Sequence, residues 1–166
     1  MKPSFSFFLS LYETTLLIFL SRGGLVDLLQ LLGEQILVPS AVALEIQQRG
    51  AEDPTVVILT QTNWLIVVET QPTPEIIQSW DLGKGESSVL TWAYTHPGTE
   101  AIVDDLAARR CAAVLGIPVR GTLGLVLTAK QRGKIPAARP ILENLRSLGM
   151  YLSESVINQA LALVGE

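Results

Sequence analysis

One stretch constrains the fold more than any other: residues 100–121, EAIVDDLAARRCAAVLGIPVRG. The apolar run Ala101-Ile102-Val103 leads straight into the pair Asp104-Asp105, and a helix-forming segment follows. Leu106, Ala107, Val114 and Leu115 supply apolar positions of the helix expected over 106–115, with Arg109 and Arg110 adjacent between them. Gly116 stands where a glycine just past a helix C-terminus belongs, and Ile117-Pro118-Val119 starts another strand. A strand, a helix and a strand of this length predict a parallel crossover. Ligands of open parallel sheets sit beyond the carboxyl ends of the strands. The two Asp fall there.

The rest of the chain alternates in the same way. Strands are expected over 5–12, 36–38 and 62–70, where β-branched and aromatic residues concentrate. Helices are expected over 15–21, 25–32, 86–94, 123–131, 139–148 and 153–164, the last capped by Ser153. Pro39-Ser40 opens a further helix, with Ser40 as its cap and Val42 and Ile46 on one face. Residues 47–55 read as a polar loop, 71–74 as a Pro-rich break, 75–80 as one or two helical turns, and 81–85 (DLGKG) as a Gly-bracketed loop. Alternation of helices with short apolar strands is the α/β pattern, a parallel sheet covered on both faces. At 166 residues and 48% hydrophobic, the chain suits one domain with a substantial core.

Charge and cysteine usage narrow the function. A net charge of −4 argues against general coating of duplex DNA, which needs a basic face. A single cysteine, Cys111, excludes an internal disulfide and fits a reducing, cytoplasmic setting. Burial is its expected role, because the one histidine, His96, sits in the turn-like YTHPG. Lys2 followed by the apolar run 5–20 resembles the start of a signal peptide. Glu13-Thr14-Thr15 interrupts that run, no small-residue cleavage site follows, and it falls short of about 18 uninterrupted apolar residues. A first core strand is the preferred reading, and no membrane role is expected.

Acidic residues recur where a strand or loop hands over to a helix: Glu13, Glu45, Glu86 and Asp104-Asp105. Each alone has an ordinary explanation. Asp105 suits an N-cap, Glu86 a first-turn acid, Glu45 a solvated helix and Glu13 a loop. Together at one sheet edge they would repel, unless protonated or neutralised by a divalent ion. Ligands that are all oxygen favour Mg²⁺ or Mn²⁺, and water activated by such an ion can attack a phosphodiester.

The segments LLIFLSRGGLVDLL, ILVPSAVALEI, LGKGESSVLTWA, AIVDDLAARRCAAVLGIPVRGTLGLVLTAKQRGKIP and ILENLRSLGMYLS follow one another through residues 16–149. In this order and spacing they resemble the PIN-like DUF3368 family of predicted nucleic-acid-binding proteins. The resemblance implies a three-layer α/β/α fold around a parallel sheet of four or five strands, as a single domain over 1–166 with an atypical start at 1–12. It also implies a metal-dependent ribonuclease site for RNA. Glu45, Glu86 and Asp104 or Asp105 take the catalytic positions and, with Glu13, hold Mg²⁺ or Mn²⁺. Arg109 and Arg110, of which at most one faces the site, and Lys84 are phosphate candidates. A toxin role with an antitoxin partner and a homodimer are further implications. A mean hydropathy of +0.37 is compatible with a buried self-interface.

The chain departs from the family at its start. Glu13 stands where the family's first Asp belongs, in Glu13-Thr14-Thr15-Leu16-Leu17-Ile18. The extra methylene matters because Mg²⁺ demands near-ideal octahedral geometry. The competing expectation is a catalytically weakened PIN-like module that binds nucleic acid or protein.

Overall fold

The computed structural model describes residues 10–166, with side chains from Glu13 onward. Most of the strand expected over 5–12 lies outside the described residues; its end is present as β1 (Ser10–Tyr12). Four more strands follow: β2 (Ile36–Pro39), β3 (Leu65–Val68), β4 (Glu100–Ile102) and β5 (Val119–Arg120). They form a wholly parallel sheet in the order β3-β2-β1-β4-β5. The crossover expected from residues 100–121 is present, with Ala101 opposite Val119 and Ile102 opposite Arg120.

The strand order explains where a site can form. From β1 the chain winds outward through β2 and β3, then returns to lay β4 against the other edge of β1. The connections therefore leave β1 and β4 in opposite directions, which opens a crevice at their carboxyl ends. Register places Tyr12 beside Ile102, so Glu13 and Asp104 both emerge at that crevice.

Nine α-helices are described. They are α1 (Thr14–Arg22), α2 (Ser40–Gln47), α3 (Pro54–Gln61), α4 (Glu75–Gln78), α5 (Lys84–Thr95), α6 (Leu106–Leu115), α7 (Thr122–Gln131), α8 (Arg139–Ser147) and α9 (Glu154–Ala162). Leu16, Leu17 and Leu20 of α1, Val42 and Ile46 of α2, and Val89 and Leu90 of α5 are buried in one core with Ile36, Val38 and Ile102. A second cluster joins α7, α8 and α9 through Val126, Leu142, Leu145, Ile157 and Leu161. Gly116, at φ 70°, takes the left-handed conformation that ends α6.

Several expectations need correction. Residues 25–32 do not form an α-helix; Val26–Leu31 is a 3-10 segment. Ser40 is not a cap: Pro39 holds that position, and the Ser40 hydroxyl pairs with that of Thr70 at 2.9 Å. The loop expected over 47–55 ends early, because Asp53 caps α3 through the Thr55 amide and Pro54 opens it. The helix expected over 86–94 starts at Lys84, so Lys84 and Gly85 of the expected DLGKG loop are helical. The strand expected over 62–70 shrinks to Leu65–Val68, and the one starting at 117 begins at Val119.

Candidate metal centre

The site is built outward from Glu13. This residue ends β1 and precedes α1, and its amide donates to the Ile102 carbonyl at 3.3 Å, which continues the β1–β4 pairing. The side chain is only 2% exposed. Its Oε1 accepts from the Asp104 amide at 2.9 Å, whereas Oε2 is buried with no hydrogen-bond partner. Burial pushes the carboxyl up to about 8. The Asp104 amide opposes that shift, and the charges of Asp104, Glu86 and Asp105 add to it.

Asp104 follows β4 and is tied to the start of α7. Its Oδ1 accepts from the Thr122 amide at 2.8 Å and its Oδ2 from the Thr122 hydroxyl at 2.6 Å. One orphan amide of a helix N-terminus is thereby satisfied from another element, and the Thr122 hydroxyl adds a second bond. Gly121 makes the approach possible, since a Cβ there would meet Asp104 Oδ1 at 2.7 Å and Arg109 Nη1 at 2.9 Å. Asp105 is the N-cap of α6 and accepts from the Ala108 amide at 2.8 Å. Glu86 lies in the first turn of α5.

Glu13, Glu86, Asp104 and Asp105 line one cavity of about 490 Å³, with Phe19, Met150 and other apolar residues on its wall. Glu45 is not part of that lining. It accepts a hydrogen bond from the Thr14 hydroxyl, next to Glu13, and its Oε2 lies 3.1 Å from where a Gly85 Cβ would stand. Glu45 is therefore braced against the starts of α1 and α5.

The basic candidates separate. Arg109 donates through Nη1 to the Val103 carbonyl at 3.1 Å and lines an adjoining groove, between α7 and α9, that shares Asp104 and Leu123 with the carboxylate cavity. Arg110 is exposed on α6. Lys84 opens α5 but faces a third pocket, with Ala41, Thr70 and Asp81. Cys111 is buried in the core, and burial pushes its thiol up. His96 is exposed at the end of α5, its ring stacked on Trp92 at 4.1 Å between centroids.

The donor set suits a hard divalent ion. Every candidate ligand is a carboxylate oxygen, and Glu13 Oε2 is a buried acceptor without a donor. Among the described residues no three His, Cys, Asp or Glu side chains close around a single point. Mg²⁺ does not require that, because it retains several waters and commonly binds through one or two carboxylates. The residues fit such an ion with water filling the remaining positions.

Sequence reasoning missed Thr122 and Thr14, the hydroxyls that orient Asp104 and Glu45. The pairing of Gly121 with Thr122 ahead of an apolar helix was the available signal for the first; nothing local marked the second. It also missed Phe19, Met150 and Tyr151, which reach the cavity from distant elements.

Among the described residues no helix is long and apolar enough to cross a membrane. Nothing among curated proteins matches the chain. The family model of DUF3368, described as a PIN domain, matches residues 10–166. That span takes in every strand, every helix and every carboxylate described above, and the chain belongs to the DUF3368 family of PIN domains.

Proposed function

We propose that the protein is a metal-dependent ribonuclease that hydrolyses RNA phosphodiesters. The observation that carries this reading is the buried, unpartnered Oε2 of Glu13 in a cavity shared with Glu86, Asp104 and Asp105. A buried acid beside other acids is costly to ionise, and a cation is the partner that removes the cost. Mg²⁺ or Mn²⁺ held there supplies an activated water and charge stabilisation for the leaving oxygen. Glu13 Oε2, which has no hydrogen-bond partner, and the Glu86 carboxylate are ligands of that ion. Asp104, held in place by Thr122, and Asp105, held by the Ala108 amide, complete the ligand set. Glu45 holds Thr14 and so the turn that carries Glu13. In the same reading helices cover both faces of the sheet in three layers, and the protein is a cytoplasmic toxin restrained by an antitoxin and active as a homodimer.

A second reading has its own observation. Both oxygens of Asp104 are occupied by Thr122, and Glu13 replaces the family's shorter Asp and stays protonated to about pH 8. These features favour a module that binds RNA or protein with weakened cleavage. Calorimetric titration with Mn²⁺, run on the wild type and on Asp104→Asn/Asp105→Asn alongside an RNA cleavage assay, separates the two. Saturable binding lost in the double variant, with cleavage dependent on the ion, supports the nuclease. Absence of binding at millimolar Mn²⁺ favours the binding module.

A further inference from the structure

We infer that Tyr151 and Leu106 form a nucleobase subsite at the mouth of the carboxylate cavity, where one base of single-stranded RNA stacks. The inference rests on the ribonuclease reading and adds to it a position that grips the substrate apart from its phosphates.

Tyr151 is 94% exposed, and Leu106, the first residue of α6, is 60% exposed. Large apolar side chains scattered singly over a surface need no explanation. These two are not scattered: both line the cavity that holds Glu13, Glu86, Asp104 and Asp105. The Tyr151 ring stands on an anchored backbone. Met150 before it is buried and its amide donates to the Leu145 carbonyl at 3.1 Å, and Ser153 after it caps α9. An aromatic ring with two rotatable bonds, held at its base, loses little entropy when a flat ligand covers it.

Charge selects the occupant. In the ribonuclease reading the scissile phosphate goes to the ion held by the carboxylates, and Leu106 and Tyr151 beside it offer no cation for a second anion. A nucleobase is uncharged, its exocyclic amino groups can donate to carboxylates, and its face stacks on an aromatic ring. The next phosphate along the strand is left outside. Arg110 lies four residues beyond Leu106 on α6, on the same helix face and exposed to solvent, where it can meet that phosphate. A duplex offers no free base, so the subsite selects single strands.

The test is fluorescence anisotropy with a labelled single-stranded RNA of about twelve nucleotides, the matching duplex, and an abasic ribose-phosphate strand, all in Ca²⁺. The wild type is expected to bind the single strand more tightly than the other two probes. Tyr151→Ala should weaken single-strand binding about tenfold and leave duplex binding and the melting temperature unchanged, while Tyr151→Phe retains wild-type affinity. If the wild type binds none of the probes, the ribonuclease reading fails and the subsite with it. If it binds RNA but Tyr151→Ala binds equally well, or the abasic strand matches the natural one, the subsite alone is overturned. A change in sedimentation behaviour of Tyr151→Ala, with RNA affinity intact, would likewise overturn it and assign the ring to protein contact.

Discussion

At the scale of single residues, Glu13 couples the site to stability. Its folded-state pKa of about 8 lies above its ordinary 4.5. The neutral form therefore favours the fold, fully below about pH 4.5, and this contribution is lost as pH rises through about 8. Glu13→Gln keeps the acceptor for the Asp104 amide and removes the titration. The variant is expected to be more stable than the wild type near pH 8–9, by on the order of a few kcal/mol, with the difference vanishing towards pH 4. Denaturant unfolding across that range checks it. Gly121 is the second sensitive position. Gly121→Ala places a methyl 2.7 Å from Asp104 Oδ1 and must push the carboxylate off Thr122. A loss of about 1–3 kcal/mol is expected, read as a lowered denaturant midpoint with an unchanged slope.

At the scale of elements, the β4–α6–β5 unit shows what a sequence can reveal. Its strand is apolar, its helix has an Asp at the start and a Gly at the end, and all the signals agree. Asp105 there serves two masters, the α6 amides and the cavity, and substitution separates them. Asp105→Asn should retain stability because Asn also caps, whereas Asp105→Ala should lose about 1 kcal/mol. If metal affinity falls in both, the charge of Asp105 acts in the site; if neither changes it, Asp105 is a cap alone. Helix α3 was illegible for the opposite reason. Val56, Val57 and Ile58 disfavour helix by propensity, and only packing of Thr55, Val56 and Leu59 into the core overrides that. Ser40 misled because a hydroxyl at a helix start usually caps, yet here Thr70 on the chain after β3 takes it. The acids were legible as types and as helix-start positions. Which of them share a cavity was not, because that depends on strand order, and Glu45, bonded to Thr14, could not be told from Glu86 on the cavity wall.

At the scale of the whole molecule, a cation that binds only the folded chain must stabilise it by mass action. Mn²⁺ at one hundred times its dissociation constant should add about 2.7 kcal/mol, and a chelator should remove that increment reversibly. Scanning calorimetry of the wild type with and without the ion checks this. Glu13→Gln should show a much smaller increment, although the variant folds.

The contact between Glu13 and the Asp104 amide joins residues 91 positions apart in the chain. The pairings of β1 with β2 and of β2 with β3 close shorter loops and can form earlier; the apposition of β1 and β4 must wait for the longest loop in the sheet to close. The carboxylate cavity is therefore a late product of folding. A nascent chain that has emerged only through β3 holds Glu13 and Glu45 but has no crevice, so the carboxylates cannot meet until synthesis has passed Asp104.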